Sequence, residues 1–175
     1  MGRKAETERE MALTLRDSLH LVAEPENLDA SVEEVFGLML GERPRRLAAA
    51  EDDRTGQDLE SVTAVVGFGG VLSGACVFRS STAVAIQIAA QMTGMHFDDV
   101  DDTVQDAIGE VCNMLAGAWK GKVPDLAARC GLSVPAVISG RDYRLHVQSP
   151  EFQLAHAYRY QEGIFRVTII CDSFQ

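Results

Sequence analysis

The chain has 175 residues, of which 46% are apolar, and its formal net charge is −10. This length and composition are typical of one globular domain with a sizeable core and exclude a disordered chain. The negative charge argues against nucleic-acid binding, because phosphate backbones would be repelled. No apolar run is long enough to span a membrane and the N-terminal sequence is not a signal peptide, so we expect a cytoplasmic protein.

The cysteines and histidines do not indicate a metal site. The four cysteines lie far apart in the sequence without a C-x-x-C pair, which predicts free, mostly buried thiols. The four histidines show no ligand spacing with each other or with cysteine. We therefore predict that the chain binds no metal and carries no cofactor of its own.

The N-terminal part of the chain differs in character from the rest. Residues 1–27 are predicted to be a partly mobile extension, and residues 28–175 to form the domain. Within the extension, residues 11–22 fit a short amphipathic helix, although the same residues also suit a strand. Residues 29–41 predict a helix, in which Ser31 and Glu34 have the spacing of a capping box.

The strongest β signal lies in residues 61–79. Val62–Phe68 and Val71–Phe78 are β-rich runs on either side of Gly69-Gly70, which is typical of a hairpin. Before this hairpin, residues 45–60 predict a short strand and a loop.

Helices and further strands follow the hairpin. Residues 82–93 predict a helix that is capped by the preceding serines, and the acidic run 98–102 favours the start of a second helix over 103–120. The helix breaks near Pro124. The remaining β-like segments are 132–140, 142–149, 151–160 and 163–172.

The helix over residues 103–120 has two distinct faces when it is drawn at about 100° per residue. Asp106, Glu110, Asn113 and Gly117 fall together within roughly 60° on one side. The opposite, apolar side comprises Val104, Ile108, Val111, Leu115, Ala118 and Trp119. The apolar side should pack on a sheet or helix, which leaves two carboxylates and an amide exposed.

A short internal repeat links this helix to the first one. Residues 34–41 and 110–117 share the pattern Glu-Val-x-(Gly or Asn)-apolar-apolar-x-Gly, and strands follow each copy. The pattern predicts two related halves that share one sheet. We therefore predict an α+β fold, with a mainly antiparallel sheet and long helices packed on it. Gly37 occupies the position in the first copy that Asn113 occupies in the second. The first half therefore looks like a site that has lost its side-chain amide.

At these residues the sequence resembles the CheC/CheX/FliY family of chemotaxis phosphatases. The family's signature is an Asp or Ser, a Glu four residues later, an Asn three residues after that, and a Pro some two dozen residues downstream. Asp106, Glu110 and Asn113 have this spacing, and Pro135 follows with 21 residues between. The resemblance covers about residues 28–172, and the single Glu-x-x-Asn motif is similar to the CheX branch.

The resemblance implies hydrolysis of the phospho-aspartate in a CheY-like receiver domain of a response regulator. Asn113, a neutral donor and acceptor, would hold a water in line with the phosphorus. Glu110 would pair with the active-site lysine of the receiver, while Asp106 and Pro135 would bind the partner. Mg2+ is expected in the receiver, and the protein is expected to form a homodimer through the sheet edge of residues 142–170.

The residues leave other interpretations open. Asp106 could serve only as a capping residue behind Thr103, Glu110 and Asn113 could be solvated surface groups, and Pro135 could be a strand-edge or turn residue. The corresponding alternative functions are a non-catalytic receiver-binding module and a structural protein like those of the flagellar switch. Since both partners would be acidic at the site, Lys120 and Lys122 are expected to offset the repulsion.

Overall fold

The computed structural model describes residues 24–48, 61–141, 143, 146 and 150–174. The predicted helix over 11–22 and most of the predicted strand over 142–149 lie outside this part of the chain. The elements in chain order are α1 (Pro25–Leu40), β1 (Arg45–Arg46), β2 (Ser61–Gly70), β3 (Leu72–Ser81), α2 (Thr82–Thr93), α3 (Asp102–Gly121), α4 (Pro124–Arg129), β4 (Cys130–Leu132), β5 (Ala136–Gly140), β6 (Phe152–Tyr160) and β7 (Gly163–Phe174).

The described strands form one seven-stranded sheet in the order β1-β6-β7-β3-β2-β4, with β5 also paired to β2. All of these pairings are antiparallel. The helices pack on this sheet through one continuous apolar core. The α+β fold with a mainly antiparallel sheet is therefore confirmed. None of the described helices has the length and apolar composition that crossing a membrane would require.

The strand order has the two-fold pattern that the sequence repeat predicts. The last strand of each half, β3 and β7, pair at the centre, and β2 and β6 lie outside them. The strands that follow each long helix cross to the other half: β1, after α1, pairs with β6, and β4 and β5, after α3, pair with β2. The residue-level equivalence of Glu34 with Glu110, and of Gly37 with Asn113, stays a prediction.

The predicted hairpin of β2 and β3 forms, but its bend lies at Val71, because Gly69 and Gly70 belong to β2 and pair with Gly131 and Cys130 of β4. The two strands pair from Ser61 with Ser81 to Phe68 with Gly74. Gly70 adopts a φ of 127°, and a Cβ there would collide with the carbonyl oxygen of Arg129. Only glycine fits this position without strain, so it fixes the turn and allows the segment around β4 to approach.

The first helix begins earlier than predicted, and its predicted capping box is wrong. α1 starts at Pro25, whose fixed φ is preorganised for the first helical position. Ser31 lies buried within the helix, and its hydroxyl donates to the carbonyl of Asn27 (2.7 Å). Glu34 instead forms an ion pair with Lys122. The helix thus starts before residue 28, where we predict the boundary of the domain.

A polar cluster fastens α1 to one edge of the sheet. The Asp29 carboxylate accepts hydrogen bonds from the Tyr158 hydroxyl (2.7 Å) and from Arg46 (2.8 Å), and His156 Nδ1 lies 2.9 Å from it. Burial raises the pKa of Asp29, but the hydrogen bonds with Tyr158, His156 and Arg46 outweigh burial and leave the pKa below its ordinary value. The ionised carboxylate therefore stabilises this edge.

Candidate active site

The helix α3 is held at its start by a side-chain cap. Asp101 is the N-cap residue, and its carboxylate accepts a hydrogen bond from the backbone N–H of Val104 (2.9 Å). Because α3 begins at Asp102, Asp106 lies beyond the first turn of the helix. The interpretation of Asp106 as a capping residue behind Thr103 is therefore wrong, and its carboxylate is exposed on the surface of the helix.

The two faces of α3 lie on the sides that the sequence predicts, although Asn113 is half-buried where we predict an exposed amide. Asp106 and Glu110 are exposed, and Asn113 and Gly117 are half-buried. The opposite face is buried in the core, with the exception of the half-buried Ala118. Residues three or four apart on a helix have Cβ atoms about 5–6 Å apart. The two carboxylates and the amide therefore form one continuous stripe along the helix.

These side chains have no structural contacts that would explain them. Among the side-chain hydrogen bonds and ion pairs of the described residues, none involves Asp106, Glu110 or Asn113. Asn is a poor helix former, so a mid-helix Asn without such a contact costs stability and gains nothing in return. The arrangement favours a role toward a binding partner over a role in holding the fold.

The loop between β4 and β5 packs directly against this helix. Pro135 Cβ and Val137 Cγ2 each lie 3.3 Å from the position that a Cβ on Gly109 would take. Gly109 is buried and precedes Glu110 in the chain. The absence of a side chain at Gly109 therefore lets Pro135 lie against the same helix as Glu110 and Asn113, next to their stripe.

Hydrogen bonds to β2 hold this loop in position. The N–H of Ser133 donates to the carbonyl of Gly67 (2.9 Å), and the N–H of Gly67 donates to Ser133 Oγ (2.8 Å). The Ser133 hydroxyl in turn donates to the carbonyl of Val134 (2.9 Å). These bonds and the proline explain why the single strand predicted over 132–140 is two short strands, β4 and β5.

Small side chains on the buried side of α3 allow the helix to pack closely on the sheet. The Cys112 thiol, next to Asn113 in the chain, lies 3.5 Å from the carbonyl oxygens of Ala64 and Cys76. The hydrogen bond with Cys112 and complete burial raise the pKa of the Cys76 thiol. Both thiols therefore act as small core residues that allow the helix to lie close to β2 and β3.

The two lysines at the end of α3 serve the fold. Lys120 Nζ donates to the carbonyls of Ala127 (3.1 Å) and Cys130 (2.7 Å) at the end of α4. Lys122 forms its ion pair with Glu34 of α1. The expectation that these two lysines offset the acidic charge of the site stays a prediction: Lys122 is paired with Glu34, whereas the carbonyls that Lys120 contacts leave its positive charge in place.

Sequence reasoning identified the polar stripe but not the residues that bring the loop to it. Gly109 and Ser133 position Pro135, and neither belongs to the predicted site. An interior helical glycine costs around 1 kcal/mol relative to alanine, so Gly109 was a detectable signal of close packing. At Gly117 a Cβ would meet only Leu132 Cδ1, at the ordinary van der Waals distance of 4.0 Å.

The side chains of this site can orient a water molecule and can form an ion pair with a binding partner. The Asn113 amide can orient a water with its carbonyl oxygen and its NH2 group, and it carries no charge that would repel an anion. Glu110 can pair with a cation on a docked partner. Within the described residues, no group of three His, Cys, Asp or Glu side chains is placed to hold a metal ion.

Comparison with known proteins identifies the family. The sequence profile described as "Chemotaxis phosphatase CheX" matches residues 62–156, more than half of the chain. This chain belongs to the CheX family. The match contains α3 with its Glu110 and Asn113, the β2–β3 hairpin and the loop that carries Pro135.

Individual relatives agree with this family. The chain is 33% identical over 86 residues to the CheY-P phosphatase CheX of Thermotoga maritima, a match that covers 49% of this chain and 56% of that protein. The crystal structure of chemotaxis protein CheX from Vibrio vulnificus has a TM-score of 0.71 at 19% identity, covering 86% of this chain and 97% of the other.

A complex of another CheX shares the fold. The CheX-CheY-BeF3-Mg+2 complex from Borrelia burgdorferi matches with a TM-score of 0.65 at 19% identity, covering 85% of this chain and 97% of the matched chain. At this identity, the two solved structures establish the fold of the CheX family for this chain.

Proposed function

We propose that this protein is a phosphatase that hydrolyses the phospho-aspartate of a CheY-like receiver domain. The observation that carries the proposal is the stripe of Glu110 and Asn113, one turn apart on α3, whose side chains form no hydrogen bond or ion pair within the described part of the chain. Membership of the CheX family and the name of the Thermotoga maritima relative support the same activity.

The proposed reaction needs little from the enzyme besides geometry. An aspartyl phosphate is a reactive acyl phosphate, so a water held in line with the phosphorus suffices as the nucleophile. The Asn113 carbonyl oxygen accepts a hydrogen bond from this water, and its NH2 group donates to water or to a phosphoryl oxygen. A carboxylate at residue 113 would repel the phosphoryl group, whereas the neutral amide does not.

Glu110 acts on the partner in this account. Its carboxylate lies one turn before Asn113. There it pairs with the positively charged active-site lysine of the receiver domain. The Mg2+ needed to neutralise the phosphoryl group is held by the receiver, as the Borrelia burgdorferi CheX-CheY-BeF3-Mg+2 complex suggests by analogy. In this proposal the receiver supplies the ligands of the metal ion.

Asp106 and Pro135 complete the proposed docking surface. Asp106 is exposed one turn before Glu110 and has no capping duty, so its charge is available to a partner. Pro135 is held against Gly109 and gives the loop a fixed position beside the stripe. Both residues orient the receiver and do not touch the reacting atoms.

The proposal includes a homodimer in the cytoplasm, where receiver domains of response regulators act. β1 is two residues long and pairs with Tyr158 and Arg159 on the outer side of β6, where the N–H of Leu47 also donates to the carbonyl of Ala157 (2.8 Å). None of the described strands pairs with residues 153–156 on that side, and a strand from a second copy can add there. Light scattering should give twice the protomer mass of 19.0 kDa, and a single protomer mass at micromolar concentration would refute the dimer.

Phosphate release tests the proposed activity directly. The protein should be mixed with a panel of phosphorylated CheY-like receivers with Mg2+, and release should be compared with the spontaneous rate of each receiver. We expect accelerated release from at least one receiver. A receiver that binds tightly but keeps its phosphate would refute the phosphatase and favour the non-catalytic binding module.

A further inference from the structure

One apolar side chain next to the proposed site has no role in the fold. Val134 is 86% exposed, the highest value among the large exposed hydrophobic residues of the described chain. Single exposed hydrophobics are common on protein surfaces, so exposure alone means little. The surroundings of Val134 are what make it informative.

The backbone around Val134 is fixed on both sides. Ser133 is bonded to Gly67 of β2 through two hydrogen bonds, and its hydroxyl donates to the carbonyl of Val134 itself. Pro135 is packed against Gly109. A side chain held outward on a rigid loop loses little conformational entropy when a partner covers it.

Val134 lies within reach of any partner that contacts the stripe. Pro135 packs against Gly109, and the Cα atoms of Val134 and Pro135 are about 3.8 Å apart. Asn113 lies one turn after Gly109, about 6 Å further along the axis of α3. Val134 is therefore within roughly 15 Å of Asn113. Interfaces of about 600–800 Å2 per partner are about 30 Å across, so a partner centred on Asn113 also covers Val134.

The charge of the site explains why an apolar contact is needed there. Asp106 and Glu110 are both acidic, Lys122 is already paired with Glu34, and Lys120 is directed to backbone carbonyls near the end of α4. The pocket of a phosphorylated receiver is also acidic, so attraction between the two surfaces cannot come from these groups alone. An apolar contact at the edge of the interface between the two proteins is not weakened by this electrostatic repulsion.

We propose that Val134 is a docking residue for the receiver domain, contacting an apolar or methylene-rich surface beside its phospho-aspartate. This inference rests on the proposed function, since it takes the receiver as the occupant. Val134 sets the affinity for the receiver and does not contact the reacting atoms, so its loss changes binding and leaves the chemical step intact.

The test compares Val134→Ser with Leu38→Ser, which removes an apolar side chain that is 76% exposed on α1. Turnover of the phosphorylated receiver gives KM and kcat, and titration with the beryllofluoride- and Mg2+-loaded receiver gives Kd. We expect Val134→Ser to raise KM and Kd by about fivefold to tenfold, as loss of part of a buried valine contact predicts, with kcat within about twofold. Leu38→Ser should behave as the parent.

The outcomes separate the docking contact from the phosphatase activity. If the parent releases phosphate and Val134→Ser keeps the parental KM and Kd, the docking contact is refuted and the proposed function stands. If the parent binds the beryllofluoride-loaded receiver without releasing phosphate, and Val134→Ser weakens that binding, the contact stands and the phosphatase is refuted. A loss confined to kcat would also overturn the assignment of Val134 to docking.

Discussion

The close approach of Pro135 to α3 can be tested by adding one methyl group. In Gly109→Ala, the new Cβ would lie 3.3 Å from both Pro135 Cβ and Val137 Cγ2, which is tighter than ordinary van der Waals contact. The matched variant is Gly37→Ala on α1, where a Cβ would have nothing within 4 Å. Both glycines are helical, so both variants receive a similar gain in helix propensity.

The two variants should differ in stability by the cost of overpacking. Replacing a helical glycine by alanine stabilises a protein by about 0.5–1 kcal/mol, whereas an extra methyl group in a packed contact costs about 1–3 kcal/mol. Gly37→Ala should therefore raise the melting temperature by about 1–4 °C. Gly109→Ala should be less stable than Gly37→Ala by about 1–3 kcal/mol, because the loop must move away from the helix.

The measurement is urea unfolding of the parent and both variants, with phosphate release measured on the same samples. Gly109→Ala should also raise KM, since Val134 and Pro135 are displaced from the stripe, while Gly37→Ala should keep the parental activity. If Gly109→Ala stabilises the protein as much as Gly37→Ala does, Pro135 is not held against α3, and the positioning argument for the loop is wrong.

Two further variants test the polar groups of the two helices. Glu110→Ala removes a charge-assisted contact to the receiver, so both Kd for the beryllofluoride-loaded receiver and turnover should worsen; an unchanged Kd would contradict the pairing. Because the folded-state pKa of Asp29 is lowered, its carboxylate contributes stability that is present above the ordinary pKa of about 3.9 and is lost as the pH falls through the folded pKa. Asp29→Asn should therefore lower the free energy of unfolding at neutral pH and weaken its dependence on acid pH; an acid-side slope equal to the parent's would contradict this reasoning.

Local sequence patterns predicted the features that depend on local physics. The two faces of α3 follow from a periodicity of 3.6 residues, and Ser81 and Gly94 cap α2 where their residue types predict it. The β2–β3 hairpin follows from glycines that permit a tight turn. Each of these features is determined by residues close together in the chain, which is why the sequence was sufficient.

Features that depend on distant contacts were missed or misjudged. Ser31 has the residue type of a helix cap, but Pro25 starts α1 earlier and Ser31 bonds back to Asn27 within the helix. The break between β4 and β5 depends on Ser133 meeting Gly67, which no local pattern reveals. In the same way, the partners of Lys120 and Lys122 become known only when the helices are packed.

The sequence predicted the face of α3 that carries the candidate site residues, but it did not predict the contact that brings Pro135 to this helix. Asp106, Glu110 and Asn113 lie on one stripe because helix geometry requires it. Pro135 reaches the same helix only because Gly109 has no side chain, a contact between residues on different elements. The partner roles of Asp106 and Pro135, and the catalytic roles of Glu110 and Asn113, stay predictions.

The most direct test of the central claim is single-turnover phosphate release by Asn113→Ala. Because the amide has no side-chain hydrogen bond among the described residues and alanine is the better helix former, the variant should be as stable as the parent or slightly more stable. It should bind the beryllofluoride-loaded receiver with nearly parental Kd and lose about 10²–10³-fold or more in rate, since the amide acts on the water in the transition state. Release of phosphate at the parental rate by Asn113→Ala would contradict the claim that this residue positions the water.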